Sequence, residues 1–167
     1  MVEVVGNSER FGSIVDEGLN EILVFTVHHV RLGIPAVILD HVIRMVAITP
    51  IHDGPQGIVG IINYHGDVLP VFSFRHFFGL EEKPPDIEDY LIIVKDERNI
   101  AIIAEHITGV YHLANEIISP EDLFPVLKGF SGIYRCKDGL LVLTHPKDII
   151  CMDDQEKIRS MKESFKS

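Results

Sequence analysis

The apolar positions of this chain come in short runs separated by polar or glycine-bearing turns. Glu21 to Val27 is rich in β-branched residues and predicts a strand that turns near His28 and His29 and returns through Arg31 to Pro35. Val37 to Ile43 has mixed spacing, compatible with a helical turn or a strand. Met45 to Ile51 is a further apolar run that ends in the loop His52-Asp53-Gly54-Pro55. The clearest segment is Gly60 to Val71, in which two apolar runs meet at a polar turn; it predicts a β-hairpin with Gly66 at the tight turn. Pro70 has no N–H to give to a ladder, which predicts an edge or a bulge at that point. Arg75 to Gly79 predicts a short helix stopped by glycine.

The second half repeats the style. Tyr90 to Val94 and Ile100 to Ala104 are continuously apolar on either side of a polar turn, which predicts strands buried on both faces. Thr108 to Ile118 predicts another strand region, and Lys137-Asp138-Gly139 a hairpin turn before Leu140 to Leu143. Glu81 to Asp89, with Pro84 and Pro85, predicts a solvated loop joining two subdomains. Residues 1–20 lack periodicity and predict a partly disordered arm, whereas Ile158, Met161 and Phe165 are spaced for a short C-terminal helix within 151–167. Asp40-His41-Val42 is echoed by Glu105-His106-Ile107, and Gly60-Ile61 by Gly132-Ile133, as an internal duplication would produce. Short strands with frequent turns suit a mainly β fold of two small closed barrels.

Composition narrows the function. The 167 residues are 46% hydrophobic, enough for a real core, and the net charge of −10 argues against nucleic acid and anionic membrane surfaces. No stretch holds the roughly 18 uninterrupted apolar residues of a membrane helix, and the N-terminus lacks the basic-then-apolar order of a signal peptide, so a cytoplasmic protein without direct membrane insertion is expected.

No reactive constellation stands out. Nine histidines invite a metal reading, but none stands in a His-x-x-x-His pattern, and the two cysteines, Cys136 and Cys151, match no zinc or redox spacing. There is no Gly-x-Ser-x-Gly elbow and no Walker motif, and the paired carboxylates all lie in polar segments. No metal, cofactor or catalytic residue is expected. A small histidine-dependent metalloenzyme is the alternative from another class, and the spacing argues against it. A binding protein needs exposed strand surface and defined turns rather than a reactive group.

The hairpin carries a resemblance. Gly60, Asn63, Gly66, Pro70 and Val71 stand in register with the signature hairpin of the CheW-like chemotaxis coupling proteins, and the likeness extends over about Glu21 to Ile150. Leu69-Pro70-Val71 followed by Arg75 is similar to a further family element, although Phe74 replaces its usual leucine. The resemblance implies two five-stranded β-barrels and a non-enzymatic adaptor that couples the cytoplasmic tips of methyl-accepting chemoreceptors to a CheA-type histidine kinase. It implies recruitment to membrane receptor arrays; a same-fold scaffold in a non-motility pathway is the alternative. Leu39, His41, Gly60 and His65 would face partners, while Asn63, Gly66 and Pro70 would build the hairpin. Family members often pair a glutamate near position 41 with an arginine at position 65. Here both positions are histidine, so a bidentate guanidinium–carboxylate contact is impossible. Different partner contacts, with a pH-dependent component, are expected there.

Overall fold

The computed structural model describes residues 21–112, 117–118, 130–136, 139–146 and 162–163. The expected N-terminal arm and nearly all of the expected C-terminal helix lie outside the described residues. The fold is mainly β: β1 (Glu21–Val27), β2 (Val30–Pro35), β3 (Leu39–Arg44), β4 (Thr49–Pro50), β5 (Ile58–Tyr64), β6 (Asp67–Phe72), β7 (Tyr90–Val94), β8 (Ile100–Ala104), β9 (His106–His112), β10 (Ile117–Ile118), β11 (Phe130–Cys136) and β12 (Gly139–Thr144). Val37 to Ile43 resolves both ways, as a 3-10 turn at Ala36–Ile38 running directly into β3. A second 3-10 turn, Arg75–Phe78, ends at Gly79 in the left-handed conformation (φ 67°), the glycine stop expected there.

The strands form two sheets, and the chain divides into two compact units with crossings at Ile38/Leu39 and His106/Ile107. One unit holds the sheet β9-β1-β2-β12-β11-β10, the other the sheet β3-β7-β8-β6-β5-β4. Each sheet has five long strands and one two-residue strand. The loop 81–89 does not join the two units; it lies inside the second. It leads from β6 to the β7–β8 hairpin, and β8 returns to pair in parallel with β6, so this connection stays within one sheet.

The two sheets follow one plan: an edge strand, a hairpin, a parallel junction, a second hairpin and a two-residue strand. Each unit combines the opening hairpin of one sequence half with the later strands of the other. The hairpins agree residue by residue. In β5 one extra residue, Val59, stands between Ile58↔Phe72 and Gly60↔Val71; in β11 Ser131 stands between Phe130↔Thr144 and Gly132↔Leu143, each 72 positions on. Gly132 therefore matches Gly60, as the sequence echo suggested. Gly139, which pairs with Cys136, takes the place of Asp67 rather than of Gly66, because Asp67 pairs with Tyr64.

Burial explains why apolar runs become these strands. Leu91, Ile92, Ile93 and Val94 are all 0% exposed, so β7 is covered on both faces. In the first unit Ile22, Val24, Phe25, Leu32, Ile34 and Leu141 are equally buried. Each such side chain contributes about 1.5–3 kcal/mol of transfer free energy, an upper figure because denatured chains are partly collapsed. The edge strand β9 instead alternates exposed and half-buried residues.

Pro70 lies neither on an edge strand nor at a bulge, since β6 is interior and bulges fall elsewhere. It is accommodated because the parallel ladder to β8 begins one residue later, at Val71↔Ala101. At the matching position of the other unit, Val142 has an N–H and pairs with Leu32.

Candidate partner-binding site

The β5–β6 hairpin turns through His65 and Gly66, which both have positive φ (50° and 87°) between the pair Tyr64↔Asp67. Two left-handed residues match the twist of the flanking strands, and glycine is the natural occupant of such a place. A Cβ on Gly66 would meet no atom within 4 Å, so its requirement is conformational alone. His65 carries a left-handed cost of roughly 1–2 kcal/mol as a non-glycine residue. Asn63 secures the turn: its Oδ1 accepts the N–H of Gly66 at 2.9 Å.

The tip is aromatic. The Tyr64 ring meets the His65 ring edge-on at 4.3 Å, and His41 approaches from β3 at 6.4 Å. β3 and β5 are separated by three strands in the sheet, yet Ile43 of β3 packs on the same core cluster as Ile62 of β5 and Leu69 of β6. The sheet therefore curls enough to bring His41 beside the tip. One extra residue in β3, Asp40, lies between Leu39↔Val94 and His41↔Ile93. This bulge re-aims the strand as it passes the tip. Asp40 Oδ2 accepts from His41 Nδ1 at 3.1 Å and faces Lys95 Nζ at 3.6 Å. The His41 hydrogen bond leads, and with help from the Lys95 ammonium it holds the Asp40 carboxyl below its ordinary range against the opposing effect of desolvation.

These groups surround an open depression of about 150 Å³ lined by Asp40, His41, Tyr64, His65, Asp67 and Lys95 among others. Of the expected partner-facing residues, His41 and His65 meet here. Leu39 is half-buried on the same edge strand but does not line the depression. Gly60 is buried, and a Cβ there would overlap the Thr49 carbonyl oxygen and the Ile48 side chain, so glycine at 60 lets β4 lie against β5. Among the described residues, no cluster of three or more His, Cys, Asp or Glu side chains could hold a metal.

Sequence reasoning missed Asp40, Tyr64, Asp67 and Lys95. Tyr64 and Asp67 were recoverable, because the residues flanking a two-residue turn form a cross-strand pair. Asp40 was visible only as part of the repeat, and nothing local marks Lys95. Arg75 proves to be an internal strut: 12% exposed, it pairs with Glu105 at 3.5 Å, and Lys83 pairs with the same carboxylate at 2.6 Å. Phe74, where leucine was expected, is fully buried and edge-on to Phe72 at 4.9 Å.

Comparison with known proteins follows the same residues. The CheW-like domain family matches residues 21–151. A chemotaxis protein CheW of Helicobacter pylori (strain ATCC 700392 / 26695) is 22% identical over 141 residues, covering 83% of this chain and 86% of its own length. The crystal structure of the scaffolding protein TtCheW from Thermoanaerobacter tengcongensis superposes with a TM-score of 0.64 at 25% identity, covering 75% of this chain and 88% of that one.

Proposed function

The chain belongs to the CheW-like domain family, and from that premise we propose that it is a non-enzymatic chemotaxis adaptor linking chemoreceptor signalling tips to a CheA-type histidine kinase. One observation carries the reading. The family match spans both six-stranded units rather than one of them, which supports a scaffolding role for the whole domain.

The physical arrangement suits such a role. The second unit presents an edge strand, β3, on which His41, Val42 and Arg44 are exposed, next to a hairpin tip held by Asn63 and Gly66. An edge strand offers unpaired backbone groups, and the tip offers side chains in fixed positions. Partner contacts would form at His41 and His65, with Leu39 beside them on β3. Gly60 contributes indirectly through the seating of β4. No helix among the described residues is long and apolar enough to cross a membrane, and the adaptor would act in the cytoplasm, held at receptor arrays by its partners.

Reconstitution tests this directly. A CheA-type kinase and a receptor signalling fragment are mixed with and without the full chain, and kinase autophosphorylation is followed. Receptor-dependent control of the kinase should require the chain. If the chain binds neither partner at micromolar concentration, the adaptor reading is wrong.

A further inference from the structure

The depression at the hairpin tip is chemically unequal. Asp40 is engaged by both His41 and Lys95. Asp67, across the same depression, is exposed and has no ion pair among the described residues. His41 turns Nδ1 toward a carboxylate, so its neutral ring keeps the proton on Nδ1 and leaves Nε2 as a hydrogen-bond acceptor. The ring of Tyr64 neighbours both imidazoles.

An acceptor nitrogen, an uncommitted carboxylate and an aromatic ring are the complement of a planar cation. A guanidinium donates several N–H groups in one plane and stacks on aromatic faces; an ammonium supplies only charge. We propose that this depression docks an arginine side chain from a protein partner. The proposal rests on the adaptor reading in taking the arginine to come from a signalling partner.

The charges facing the depression favour a cation. β3 supplies Asp40 and His41, the tip supplies Tyr64, His65 and Asp67, and Lys95 and Asn99 flank the β7–β8 turn. Two carboxylates face one ammonium, and the balance attracts a cation.

The test uses the full chain labelled in its histidine and tyrosine rings and titrated with N-acetyl-arginine amide, observed by NMR. Saturable shifts at His41, Tyr64 and His65 are expected. N-acetyl-lysine amide should bind less well. Asp67→Asn should weaken the arginine probe, and His65→Arg should block it from within. Absence of saturable shifts, or shifts indifferent to Asp67→Asn, overturns the proposal. Kinase and receptor binding of the same samples separates the two readings. Intact coupling with no probe binding removes only the arginine site. Probe binding that behaves as expected, without any coupling, supports the site and removes the adaptor reading.

Discussion

The β5–β6 and β11–β12 hairpins share one backbone plan and differ in what they carry at the turn. Both have a bulge one residue before a glycine, a two-residue connection, and a second strand that joins a neighbouring hairpin in parallel. At the tip, Tyr64 and Asp67 of the first correspond by register to Cys136 and Gly139 of the second. Below the tip the residues agree: Leu69 and Leu141 match and are 1% and 0% exposed. The repeated part is the part that packs, while the exposed turn is free to take up separate chemistry.

The strongest challenge to this comparison is to truncate the matched leucines. Leu69→Ala and Leu141→Ala should each cost about 2–5 kcal/mol by chemical denaturation, since both leave cavities in a closed core. Leu69 also lines the tip depression, so only its loss should move the His41 and His65 ring resonances. A large difference in stability between the two variants would mean that the units are not energetic equivalents.

Turn chemistry gives a smaller effect. Asn63→Ala removes the bond to the Gly66 N–H and should cost about 0.5–1.5 kcal/mol. Gly66→Ala, forced to hold a φ of 87°, should cost about 1–2 kcal/mol. An unchanged denaturation midpoint for both would show that the tip is not held by this turn.

Pro70→Val makes the second unit resemble the first, where Val142 pairs with Leu32. The new N–H should extend the parallel ladder toward β8 by one residue and exchange slowly with solvent. The change in stability should stay within about 1 kcal/mol, the net worth of one hydrogen bond. Fast exchange at position 70 would assign the late start of the ladder to the sheet's curl rather than to proline.

Much of this architecture was legible in the sequence because packing writes itself as pattern. The continuous apolar runs at 90–94 and 100–104 marked buried strands, and the paired motifs at His41/His106 and Gly60/Gly132 marked the repeat. The exchange of hairpins between the halves was not legible. A strand's pattern states that it is buried, not against which half, and so the 81–89 loop looked like a boundary. The site was half legible. His41 and His65 stood out by type, but their meeting around Tyr64 depends on the curl of the sheet and on the Asp40 bulge. Gly60 was assigned to a partner surface, although its own β4 fills the space beside it.

The smallest expected effect separates the matched acids Asp40 and Glu105. Glu105 answers two cations, Arg75 and Lys83, whereas Asp40 answers two exposed partners, its neighbour His41 and Lys95. The folded Asp40 carboxyl titrates below its reference of 3.8, so its contribution to stability is present above that pH and is lost as pH falls through the lowered value. NMR titration of the Asp40 carboxyl carbon should give a midpoint below 3.8, and His41→Gln should raise it more than Lys95→Met, because the His41 hydrogen bond is the leading cause. Added salt should erode the Lys95 share and spare the hydrogen bond, since screening acts on the exposed ammonium. If Lys95→Met moves the midpoint further than His41→Gln, then Asp40, like Glu105, is held chiefly by a cation. The orientation of His41 at the tip would then need another cause.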